Sequence, residues 1–162
     1  MRRVLPVLVP MAFLFLSATP TQAQDRSGDV QQLDFLLGTW TFTYQGSPGT
    51  WECEWFGTTY VRCFAEVTGT SGNPIATVDV FAHNAVQGAF SWYRFLTNGV
   101  PEEATGRPRG DNWTFVFHEP HEGKRRASFL VETPNALTLR WENAGDEGVW
   151  EVQNEVVMTK AR

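Results

Sequence analysis

Gly110-Asp111-Asn112-Trp113-Thr114-Phe115-Val116-Phe117 decides the fold class. Trp113, Phe115 and Phe117 alternate with Asn112, Thr114 and Val116. Side chains of a strand point alternately to its two faces, so the three rings share one side. Gly110-Asp111 tolerates positive φ and marks a tight turn just ahead of them. The stretch predicts a strand leaving a hairpin turn, with an aromatic inner face and a polar outer one.

The same pattern continues in both directions. Trp40, Phe42 and Tyr44 alternate with threonines, and Leu137, Leu139 and Trp141 alternate with Thr138, Arg140 and Glu142. Near the end, Trp150, Val152, Asn154, Val156 and Met158 read as one inward face. Strands are predicted at about 39–45, 50–56, 60–68, 74–82, 88–97, 102–107, 112–118, 124–132, 136–142 and 149–159, separated by short segments such as Asn98-Gly99 and Thr133-Pro134-Asn135. Short connections require antiparallel neighbours. Some ten such strands form two packed sheets or close into a barrel. Ahead of them, residues 25–37 predict a short helix, with Asp29 and Gln32 spaced as a capping box, Leu33, Leu36 and Leu37 on one face, and Gly38 at its end.

A length of 162 residues fits one domain, and 42% hydrophobic content excludes a disordered chain. Aromatic residues make up 14% of the chain, seven of them Trp, which suits pleated sheets. Large inward rings either fill a barrel or line a cavity within it.

The first 23 residues read differently. Met1-Arg2-Arg3 is basic, Val4–Leu16 is almost wholly apolar, and Thr21-Gln22-Ala23 offers a small residue before a cut. These are the three parts of a secretory signal. The 13-residue apolar run is shorter than the roughly 20 residues that cross a bilayer. Residues 1–23 are therefore expected to be a cleaved signal peptide and 24–162 the mature domain, periplasmic or secreted, with no stable membrane anchor after processing. Losing Arg2 and Arg3 leaves 11 basic residues against 18 acidic ones, and the net charge moves from −5 to −7. So acidic a chain is a poor partner for nucleic acid. The basic run Lys124-Arg125-Arg126 is short and reads as a solvated strand end.

The two cysteines fit one hairpin. Placing Cys53 opposite Cys63 sets Trp55 against Val61 and Trp51 against Ala65 on one face, and Glu54 against Arg62 and Phe56 against Tyr60 on the other. Opposite charges and aromatic pairs each favour such a register by roughly 0.2–1 kcal/mol. An exported chain permits a Cys53–Cys63 disulfide.

Leu36-Leu37-Gly38-Thr39-Trp40 carries a G-x-W motif at the junction of helix and first strand. It resembles the calycin superfamily of lipocalins and fatty-acid-binding barrels, and within it a bacterial family of unknown function. Asp79-Val80-Phe81-Ala82 with Gly88-Ala89-Phe90, the Asn98-Gly99 and Gly110–Phe115 stretches, and Leu137–Glu142 with Val149-Trp150 and Met158-Thr159-Lys160 extend the resemblance across residues 33–160. It implies an up-and-down antiparallel barrel of about ten strands. It carries over no reaction and no catalytic residues. Related heme-binding barrels of the nitrobindin type use a late histidine, whereas the last one here is His121.

Chemistry-bearing residues are few. His118-Glu119-Pro120-His121-Glu122 groups four possible metal ligands, two His and two Glu, but within a turn and without a second cluster, so no metal site is expected. Glu102 and Glu103 are adjacent on a strand and face opposite ways. Asp79 sits in an apolar strand, where burial would make it a proton acceptor, although a solvent-facing or turn-bonded role is the commoner one. Arg94 is a candidate inward cation for a ligand carboxylate, and Arg140 points outward by alternation. No nucleotide, redox or nucleophile motif occurs, and no cofactor is expected. The reading that follows is an exported barrel binding a small apolar or amphipathic molecule, its cavity lined by Trp55, Arg94, Trp113, Phe115, Trp141, Trp150 and Asn154. An enzyme of the same fold acting through Asp79 or Arg94, and a filled barrel acting through its surface or as a homodimer, are the alternatives.

Overall fold

A computed structural model describes residues 28–69, 72–97, 99–118, 124–145 and 148–161. The predicted signal peptide, Asn98, and the Glu119–Gly123 turn with His121 lie outside them. Ten strands follow a short helical segment: β1 Gly38–Tyr44, β2 Ser47–Phe56, β3 Tyr60–Thr68, β4 Pro74–Asn84, β5 Ala89–Leu96, β6 Pro101–Arg109, β7 Asn112–Phe117, β8 Arg125–Thr133, β9 Ala136–Ala144 and β10 Trp150–Lys160. Each pairs antiparallel with its sequence neighbour, and β1 pairs with β10 to close the barrel. Closure removes the sheet edges and decides for the barrel over two packed sheets. Among the described residues no helix is long and apolar enough to cross a membrane.

The helical segment differs from its expectation. It is one turn of α-helix, Gly28–Gln31, followed by a 3-10 helix, Gln32–Leu36. Asp29 lies in the first turn, where Gln32 Nε2 donates to its Oδ1 at 3.4 Å, and so does not cap from outside. The segment plugs one end of the barrel with buried Val30, Leu33 and Leu36. The G-x-W residues fasten it. Gly38 turns into β1 at φ +109°, a left-handed conformation that disfavours other residues, and Trp40 Nε1 donates to the Leu36 carbonyl at 2.7 Å.

The β2–β3 hairpin adopts the expected register, Cys53 opposite Cys63 and Glu54 opposite Arg62, and the two cysteines form a disulfide buried on the inner face. Below it the core is mostly rings. Phe129 meets Phe35, Trp51, Phe81, Trp92 and Phe115 at centroid distances of 5.3–6.2 Å. Such edge-on and offset pairs add about 0.5–1.5 kcal/mol each beyond area burial.

Alternation is broken by two register shifts, one near the end of β8 between Val131 and Thr133 and one in β10 that moves a ring. Val152 pairs with Glu142 but Asn154 pairs with Trp141, so β10 carries an extra residue at Gln153. One extra residue inverts every side chain beyond it. Trp150 and Val152, expected inside with Val156 and Met158, therefore lie on the outer face, where the Arg126 guanidinium stacks 4.3 Å above the Trp150 ring.

Candidate functional site: a cavity at the end opposite the helix

Odd- and even-numbered strands run in opposite directions, so the ends β1 and β9 reach last form the mouth opposite the helical plug. A cavity of about 420 Å³ lies there. Phe42, Ala65, Val67, Leu139, Val156 and Met158 supply apolar wall, and Trp51, Trp92 and Trp141 add indole surface. Gly49 admits the Phe42 ring, because a β-carbon there would sit 2.5 Å from Phe42 Cζ.

One wall is charged, and the β4–β5–β6 register builds it. Asp79 faces Arg94, which faces Glu102, all three on the inner side. Asp79 is 3% exposed. Its Oδ1 accepts from Trp92 Nε1 at 2.8 Å and Arg94 Nε at 3.0 Å, and its Oδ2 accepts from Trp51 Nε1 at 3.1 Å. A buried carboxylate is tolerated where such donors replace water. Glu102 lies between two cations, 3.3 Å from Arg94 Nη1 and 2.8 Å from Arg125 Nη2. Arg94 also lies 5.2 Å from the Trp92 ring centre and 4.7 Å from that of Trp141, and Arg125 lies 4.5 Å from that of Phe117. The quartet is neutral in sum but not in layout. Both guanidiniums line the cavity, whereas Glu102 does not, and Asp79 is already committed to its donors.

Arg94, Trp141 and Asn154 thus line the cavity, as does Asp79. Trp113 and Phe115 point inward but pack in the plugged half, Trp113 4.9 Å from Phe35 and 4.8 Å from Phe90. Trp55 is also at that end, its Nε1 donating to Asp34 Oδ1 at 3.1 Å. Trp150 is outside. Arg125, read as part of a solvated strand end, instead turns inward. The signal was available, because Ala127 and Phe129 fix the inner parity of β8. Glu102 and Glu103 face opposite ways, as adjacency on a strand predicts, but the place of Glu102 between two arginines depends on β8, far away in sequence.

The other titratable groups lie elsewhere. His118 Nε2 is 2.8 Å from Thr105 Oγ1 on the outer face. Among the described residues no three His, Cys, Asp or Glu side chains gather as a metal site would require. Arg140 points outward to Glu155 at 2.6 Å. On the same face Arg126 donates to both oxygens of Glu142, at 2.7 and 2.9 Å. Those bonds hold the Glu142 carboxyl below its ordinary range, against the opposing effect of its burial and with help from the charges of Arg126 and Arg140.

No family model matches the chain. No curated protein matches it either. Solved structures do: 17 chains match. Among them the crystal structure of Rv2717c from M. tuberculosis superposes with a TM-score of 0.62 at 13% identity, over 85% of this chain and 100% of that one. At that identity the likeness is one of fold, and it fits a lipocalin-like barrel.

Proposed function

We propose that this protein is an exported, lipocalin-like carrier of a small amphipathic molecule, held tail-inward in the 420 Å³ cavity with an acceptor head group against Arg94 and Arg125. The observation that carries the reading is the coexistence of apolar wall and two cavity-facing guanidiniums in one opening. Ligand sites combine apolar surface with a few placed polar groups in this way, at about 300–1,000 Å³. The volume suits on the order of 15 non-hydrogen atoms at the ~30 Å³ that a water occupies in the liquid. The signal-like N-terminus and the Cys53–Cys63 disulfide support export into an oxidising compartment. An enzyme using Asp79 as base is the weaker reading, because both carboxylate oxygens already accept hydrogen bonds from the protein.

Titration with decanoate tests the proposal, with decanol as the uncharged control. Saturable quenching of Trp fluorescence by decanoate is expected. Arg125→Met should weaken decanoate by about 10–100-fold, the worth of a charged hydrogen bond, and decanol by much less. Absence of a saturable response to either probe refutes the carrier reading. Equal losses for both probes refute the head-group assignment alone.

A further inference from the structure

The outer face of β6, β7, β8 and β9 is hollow. Ser128 and Glu142 point outward, as the register partners of Thr114 and Arg126, yet they are only 5% and 6% exposed. Above them lies an open trough of about 910 Å³. It is separate from the cavity at the mouth, since no residue lines both. Most of its lining side chains are polar, and the largest aliphatic ones are Val116 and Leu130.

Four guanidiniums line the trough against one carboxylate, in a chain whose net charge is −5. Two of the four are matched within the fold, Arg126 by Glu142 and Arg140 by Glu155. The other two, Arg107 and Arg109, are both exposed and stand two residues apart on the outer side of β6. Arg107 is held by carbonyls, its Nε donating to Gly88 O at 3.1 Å and its Nη2 to Gln87 O at 2.8 Å. Those bonds use two of its five N–H groups and none of its charge. Among the described residues neither Arg107 nor Arg109 has a carboxylate partner. Two like charges about 7 Å apart, at ~3.4 Å per residue, repel each other until an anion joins them. Beside them runs a neutral row. Thr114 is level with Arg107 and Asn112 with Arg109, and Thr114 Oγ1 lies 2.9 Å from Ser128 Oγ, which leaves lone pairs free on both hydroxyls.

We infer that the trough is a second binding site, for a short acidic oligosaccharide of the uronic acid type, with its carboxylates on Arg107 and Arg109 and its hydroxyls on Asn112, Thr114 and Ser128. The planar guanidinium fork matches a carboxylate two bonds at a time. The neutral row is what selects a sugar. A bare inorganic anion would leave those hydroxyl and amide groups unused, and an acyl chain would find little apolar surface. At ~30 Å³ per non-hydrogen atom the trough holds on the order of 30 atoms, or two to three uronic acid residues of about a dozen each. The site opens on the outer wall, so the inference does not depend on what the barrel cavity binds.

Isothermal titration calorimetry of the disulfide-bonded chain at low salt, with trigalacturonate and trimannuronate as probes, tests it. The methyl ester of trigalacturonate is the uncharged control, and inorganic phosphate the bare anion. Saturable binding of at least one oligouronate is expected, weakening as salt is added. Esterification should weaken it at least tenfold. Arg109→Met, which breaks no hydrogen bond or ion pair among the described residues, should also weaken it at least tenfold, the worth of a charged hydrogen bond, without changing the melting temperature. No saturable response to either oligouronate at millimolar concentration overturns the inference. Equal affinity for acid and ester overturns it as well, and so does binding unaffected by Arg109→Met, which would place the sugar elsewhere. Phosphate binding as tightly as the oligouronates would overturn the sugar assignment by showing an anion site alone.

Discussion

The two ends of this barrel are built by one rule and do different things. At the plugged end, Phe129 is fully buried among five rings, and Phe35 of the helical segment packs against both Trp113 and Phe129. At the mouth, Phe42, Leu139 and Trp141 are inward by the same alternation, yet they are only part-buried and face about 420 Å³ of space. What separates them is axial position, since among the described residues chain from outside the sheet covers the helical end. Asp79 lies on the border. Its Trp51 and Trp92 donors belong to the ring core, and its Arg94 partner opens the charged wall. The packed half supplies stability, and the open half is free to keep polar groups positioned.

Matched truncations probe that division. Phe129→Ala should cost about 3–5 kcal/mol in urea unfolding, as expected for a fully buried aromatic ring. Phe42→Ala removes the same atoms from a cavity wall and should cost about 1–2 kcal/mol, because part of that surface is already wet. Equal costs would mean that the mouth is packed like the plug. Asp79→Ala should rival Phe129→Ala, at about 3–5 kcal/mol, by leaving Arg94 without its inner partner and two indole N–H groups without acceptors. A cost under about 1 kcal/mol would show that the charged wall is not anchored to the core.

Smaller effects belong to features shared by both halves. Reducing Cys53–Cys63 releases a short loop and should cost about 2–3 kcal/mol at most. Thiol titration of the unfolded, unreduced chain should find no free thiol. Glu142 should contribute a pH-dependent increment of about 1 kcal/mol. Its carboxyl is held below the ordinary range in the fold, so the increment is present above the unfolded value of 4.5 and disappears as pH falls through the lower folded value. Glu142→Gln should flatten that part of the acid unfolding curve, and an unchanged curve would contradict the Arg126 assignment.

Much of this was legible in the residues. Strand number, the antiparallel order and the register of the cysteine hairpin follow from alternation and short turns, which are local. Three things were not. Trp150 obeys the alternation of its neighbours until the extra residue at Gln153, and no Gly or Pro marks that bulge. Trp113, Phe115 and Trp141 all face inward, but alternation assigns faces and not depths, so it could not separate packing rings from lining ones. Arg94, Glu102 and Arg125 meet only because β5, β6 and β8 converge on one opening, and their shared role depends on tertiary geometry.

The contrast between the ends is most directly tested by nuclear magnetic resonance of the labelled protein during a decanoate titration. The account predicts saturable shifts at the Trp92 and Trp141 indoles and the Leu139 and Val156 methyls, with the Trp113 and Trp55 indoles nearly still. Shifts centred on Trp113 and Trp55, or no saturable shift at any site, would contradict it.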